Sequence, residues 1–171
     1  MSEPVATSAR IGEIIETETS FFVAESFMLH RPPALGQLVS VDALSGLVIY
    51  GVVCHGTTAS PDRGRRAVRR STQDVYDQAI YREHPQLEHT LRTEFTARLV
   101  GLLEDGSIRQ ALPAQPPPLH YSVHVCTQAQ VRQFTEQLAY LRLLLAATEI
   151  AAEQLLGAHI HQVYLARGED R

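Results

Sequence analysis

Gly36-Gln37-Leu38-Val39-Ser40-Val41, followed after Ser45-Gly46 by Leu47-Val48-Ile49-Tyr50-Gly51-Val52-Val53, decides the reading of the fold. Both runs are rich in β-branched and aromatic residues, and Ser45-Gly46 is a turn signal between them. Toward the N-terminus, Ile11-Gly12-Glu13-Ile14-Ile15-Glu16 and Phe21-Phe22-Val23-Ala24-Glu25 are two more short runs of the same kind. The polar Thr17-Glu18-Thr19-Ser20 joins them as a hairpin, and His30-Arg31-Pro32-Pro33 breaks the chain before the next strand. Four strands at this spacing predict a barrel or a sandwich.

Toward the C-terminus the pattern changes. Thr57 to Arg70 is a polar loop, and helical patterning follows over Asp74 to Arg82, with Ser71 or Thr72 as N-cap, and over Pro85 to Leu91, with proline in the first turn. This predicts a helical insertion at 72–92. Strand character returns over Phe95 to Leu102, and Asp105-Gly106 is a hairpin turn. The prolines between Pro113 and Pro118 form an extended strut. Leu119, Tyr121, Val123 and Val125 then alternate with His120, Ser122 and His124, which predicts a strand over 119–125.

Thr127 and Gln130 make the capping box that opens a helix. Val131, Phe134, Leu138, Leu141 and Leu145 follow at alternating spacings of three and four, continued by Thr148, Ala152 and Leu155, the seam of one long helix that stops at Gly157. Leu143, Leu144 and Ile150 widen that stripe, so the helix packs on its own barrel or on another subunit. The expected fold is α+β: a tail over 1–9, a small antiparallel β-barrel over 10–126 with its helical insertion, and a C-terminal helical segment over 127–171.

At 171 residues and 44% hydrophobic, the chain suffices for one core. Its longest apolar run, Leu141 to Ala147, is interrupted by Arg142, so no membrane span is expected. Two cysteines make no disulfide framework, and no charged, apolar leader precedes Ile11, which together predict a cytoplasmic protein. All fifteen basic residues are arginine. Without lysine there is no P-loop, no Schiff-base chemistry and no Ser-Lys dyad.

Arg63, Arg65, Arg66, Arg69 and Arg70 place five positive charges within eight residues. They suit phosphate groups or an acidic protein partner, or they form a solvated loop; the sequence leaves all three open. No stacking aromatics are interleaved with them, which weighs against single-stranded nucleic acid. Cys54, His55, His120, His124 and Cys126 are zinc-ligand types, but neighbours on a strand point to opposite faces, and His120 and His124 stand about 13 Å apart on an extended strand. No metal or cofactor is therefore expected, and His159 and His161 fare no better. Cys54 beside His55 fails as a nucleophile and base for the same reason, and the carboxylates Glu16, Glu18, Glu25, Glu104 and Asp105 fall at turns or strand ends. The chain reads as a non-catalytic binding protein, whose partner contacts are the seam residues or the arginine loop.

The strand order resembles the HAS-barrel, the N-terminal barrel of HerA-type hexameric ATPases and of the ATP synthase α and β subunits. Ile11-Gly12-Glu13-Ile14-Ile15 is similar to the opening strand with its early glycine, Phe22-Val23-Ala24 to its return, and Gly36 to Val41 and Ile49 to Val53 to the two glycine-bearing strands that follow. Glu94 to Gly101 would close the barrel. In that family the barrel precedes a motor domain, assembles a ring and offers a docking surface. The motor has no counterpart in this chain, so the resemblance implies a stand-alone barrel that docks on a protein partner or on itself, such as a HerA-like ATPase or a DNA-processing complex. A barrel that binds nucleic acid or a small ligand through its arginine loop is the alternative.

Overall fold

The computed structural model describes residues 8–62 and 64–168; most of the expected N-terminal tail, and Arg63 of the arginine loop, lie outside the described residues. Seven strands form: β1 (Arg10–Thr17), β2 (Phe21–Ser26), β3 (Leu38–Asp42), β4 (Val48–Ala59), β5 (Arg92–Glu104), β6 (Ser107–Arg109) and β7 (Ser122–Val125). Six of them close a ring in the order β1-β2-β5-β4-β3-β7, every neighbouring pair antiparallel. Closure removes the sheet edges that would otherwise invite aggregation. The expected α+β barrel with a helical insertion and a C-terminal helix is thus the observed architecture, and Glu94 to Gly101 lies in β5, paired with both β2 and β4.

The barrel has two hydrophobic cores, one on each side of its wall. Along β4, Ile49 and Val53 point inward, while Val48, Tyr50, Val52 and Cys54 point outward under a layer of helices. This explains why Leu47 to Val53 is apolar without interruption: a strand covered on both faces has no solvent side on which to place polar residues. Inside, Ile14, Phe22, Val39, Val41, Phe95 and Leu99 fill the lumen, with Phe22 and Phe95 edge to face at 6.5 Å. Outside, Tyr50, Phe134 and Tyr140 stack in a tilted column at 4.7 and 5.0 Å.

Three helices make the outer layer. In chain order after the insertion, they are α3 (Gln128–Phe134), α4 (Leu141–Leu144) and α5 (Ala152–Arg167). The Thr127 capping box forms in full, with Gln130 N–H donating to Thr127 Oγ1 at 3.2 Å and Thr127 N–H donating to Gln130 Oε1 at 2.8 Å. The single seam helix does not form. Gln110, just beyond β6, reaches across and donates through Nε2 to the carbonyls of Phe134 (2.8 Å) and Gln137 (2.7 Å), while its Oε1 accepts from Tyr140 N–H (3.1 Å). Those backbone groups are the ones a continuing helix would have used internally, so the chain turns instead. Gly157 is no stop either: it lies inside α5, which runs on to Arg167.

The insertion between β4 and β5 holds two short helices, α1 (Gln78–Glu83) and α2 (Leu87–Thr90). They start later than expected, and the residue capping α1 is Asp77, not Ser71 or Thr72. The last strand is also shorter than its alternation suggested. Only Ser122–Val125 forms the strand, and His120 sits in a turn at φ 65°, so Leu119 is left half exposed.

Candidate functional site

The seam residues part company in the folded chain. Val131 and Phe134 are buried against the barrel wall and Leu141 is partly covered there, whereas Leu138 and Leu145 are exposed on the connections between the short helices. No common face carries all five, because each short helix presents its own side to the barrel. Val131, Phe134 and Leu141 pack on the barrel of the same chain.

The thiols and histidines are likewise separated. Cys54 lies under the helices and His55 faces solvent, as expected for strand neighbours. Among the described residues, no group of three or more His, Cys, Asp or Glu gathers to hold a metal ion. Burial pushes the Cys54 and Cys126 thiols up to about 12, so neither offers thiolate at neutral pH. His120 donates through Nδ1 to Glu13 Oε1 at 2.7 Å, on the outer surface.

One buried polar relay could not be read from the sequence. His159 in α5 is almost wholly enclosed and is held from both sides: Nδ1–H donates to the Gly36 carbonyl at 2.7 Å, and Nε2 accepts from the Tyr140 hydroxyl at 2.8 Å. Those two bonds fix a neutral tautomer. Burial lowers the imidazole's proton affinity, a pull that the Gly36 carbonyl only partly offsets. Gly36 takes φ +81°, and a Cβ there would meet the α5 backbone at 2.4 Å, so glycine is required for the helix to seat. The relay is a fastener between helix and barrel.

Two surface grooves flank the root of the insertion and share Ser60. The first, about 450 Å³, lies between the arginine loop and the short helices. Its floor is apolar, made by the half-buried Ile80, Leu87 and Leu91, and its rim carries the exposed Val68 with Arg65, Arg66 and Arg70. Arg65 makes an exposed contact to Asp62 at 3.5 Å, while Arg66, Arg69 and Arg70 have no ion-pair partner among the described residues. The aromatic residue in the lining, Tyr81, has its ring edge-on to His30 and its hydroxyl at 2.6 Å from His30 Nε2.

The second groove, about 480 Å³, runs over the stretch of barrel wall that the helices leave uncovered. Ile15, Glu16, Val23, His55, Thr57 and Glu94 are among its lining residues. Arg92 also lines it, paired with Glu25 just outside the lining, which leaves Glu16 and Glu94 as its acidic groups. Glu13 stands opposite Glu25 across β1 and β2, and Glu25 stands opposite Glu94 across β2 and β5, so three carboxylates form a lateral row. Like charges directly across strands repel. His120 hydrogen-bonds Glu13, and Arg92 offsets the charge of Glu25 at 3.1 Å; Glu94 has no ion-pair partner among the described residues.

The charge signal at 63–70 was visible in the sequence; the apolar floor beneath it was not, since Ile80, Leu87 and Leu91 converge only through the fold. No family model matches the chain, and no curated protein matches it.

Proposed function

We propose that this chain is a non-catalytic interaction and assembly module, a barrel of the HAS-barrel kind that docks on a partner through the insertion between β4 and β5. The observation that carries the reading is the insertion itself. β4 and β5 stay paired up to Ala59 opposite Arg92, where a turn of two to five residues would close the hairpin. The chain places residues 60–91 there instead, and they project a cationic, apolar-floored groove. Residues that the barrel does not need for its own closure are where binding surfaces are found.

Other features support the same reading. The lumen is packed with side chains, and both thiols are buried and held protonated. The HAS-barrel resemblance is carried by the sequence runs around Gly12, Gly36 and Gly51, and a closed six-stranded ring is compatible with it. From it follows the class of partner, another copy of this chain or an assembly of the cytoplasm such as a ring-forming ATPase or a DNA-processing complex.

The test is an excision. Replacing 60–91 by an Asn-Gly turn leaves the far-ultraviolet spectrum of a barrel and a melting temperature within a few degrees of the parent. Cross-linking in the native cell then recovers a partner with the full chain and loses it with the excised one. Identical recovery from both would sink the docking assignment.

A further inference from the structure

We infer that the partner seated in the arginine-rimmed groove is the acidic groove of a second copy of this chain, so that the protein self-associates through the root of its insertion. The inference rests on the docking reading above and names what the groove holds.

The two grooves are chemical complements. One has an apolar floor and the guanidiniums of Arg65, Arg66 and Arg70 at its rim. The other has Ile15 and Val23 as apolar ground, with the carboxylates of Glu16 and Glu94 beside them; the guanidinium in that lining, Arg92, is paired with Glu25. Ile15 is an outward-facing apolar residue at a bulge in β1 and is 39% exposed. The row of Glu13, Glu25 and Glu94 is a local electrostatic cost that the barrel does not need for its own stability. A guanidinium brought against Glu94 relieves it, and a carboxylate brought against Arg66 and Arg70 does the same for the other side.

The placement of the grooves suits a closed pair. Both include Ser60, so they lie side by side at one neck. Two copies related by a two-fold axis form each contact twice, arginine groove on acidic groove and the reverse, which is the self-complementary geometry of a closed dimer. A nucleic acid would satisfy the arginines but leave the apolar part of the lining unfilled.

Sedimentation velocity on the full chain tests this. At roughly 50 mM salt the chain associates with rising concentration, and at about 500 mM, where surface charges are screened, the dissociation constant rises tenfold or more. Arg66→Glu with Arg70→Glu is a folded monomer, and so is Glu16→Arg with Glu94→Arg. Mixed together, the two variants associate again, because each supplies the groove that the other has inverted. If the half-buried Glu94 site does not tolerate arginine, Glu16→Arg alone, at an exposed position, serves as the acidic-side variant.

A wild-type chain that stays monomeric at low salt, association that survives both pairs of substitutions, or variants that remain apart on mixing each overturn self-docking. So does a monomer whose arginine groove instead retards a short DNA duplex, with the retardation abolished by Arg66→Glu and Arg70→Glu. The excision experiment separates the two levels: a cross-linked partner that disappears on excision, from a chain that never self-associates, keeps the docking assignment and removes only the second copy as its occupant.

Discussion

At Gly101 the barrel wall and its helical cover meet without room for a methyl group. A Cβ there would lie 2.7 Å from the Arg109 carbonyl oxygen and 2.8 Å from the Phe134 ring. Neither neighbour can retreat easily, since Arg109 belongs to β6 and Phe134 is clamped between Tyr50 and Tyr140. Gly101→Ala should therefore cost about 1 to 3 kcal/mol, read as a lower urea midpoint with an unchanged slope. His159 supplies the pH dependence. Its folded-state proton affinity is lowered, so the unfolded chain binds the proton more tightly. Stability is full above the ordinary histidine value near 6.5 and falls as acid is added, by up to about 1.4 kcal/mol per pH unit, until the folded-state value is passed. Melting temperatures from pH 8 down to about pH 5, compared with those of His159→Gln, isolate this component; a slope unchanged by the substitution would assign the acid sensitivity elsewhere.

The elements divide into those whose partners are local and those whose partners are remote. Leu144 is fully buried beneath α4 and Leu145, its neighbour, is more than half exposed. Leu144→Ala should cost about 2 to 5 kcal/mol and Leu145→Ala less than about 0.5. A single seam helix puts Leu145 in the contact line and predicts a large cost for Leu145→Ala as well, so the Leu145 urea curve decides between the two arrangements. The contrast shows what the sequence could reveal. The strands β1 to β4 were legible because a strand's signal is local: alternating or unbroken apolar runs, bounded by Ser45-Gly46 and by the prolines at 32 and 33. The Thr127 capping box and the Asp105-Gly106 turn were legible for the same reason. The interrupted helix was not. Its heptad-like spacing is genuine, but Gln110 takes the backbone groups at 134, 137 and 140. Those tertiary bonds join residues far apart in the chain. The arginine rim could be read as charge; the groove needed α1 and α2 to be placed under it.

On the scale of the molecule, the strands themselves bind the two cores into one unit. Ile49 and Val53 belong to the inner core and Tyr50 and Val52 to the outer, so lifting the helices would expose the flank of a strand whose other flank is the lumen. Arg98 in β5, paired at 3.3 Å with Glu149 between α4 and α5, fastens the helical layer at a further point. Burial alone would raise the Glu149 carboxyl, but backbone hydrogen bonds and Arg98 together hold it below the usual range. The insertion stands apart, with none of its described residues in either core. Cys54 and Cys126 report on this division, since both lie in the outer core and react only when the helices open. Labelling by a disulfide reagent at about pH 8, followed across low urea, should yield an opening free energy equal to that of global unfolding, while backbone amides over 60–91 exchange far faster. An opening free energy for the thiols well below the global value would mean that α3 to α5 lift off a standing barrel. The outer core of Tyr50, Val52 and Val100 would then be a further surface open to a partner, beside the two grooves at the root of the insertion.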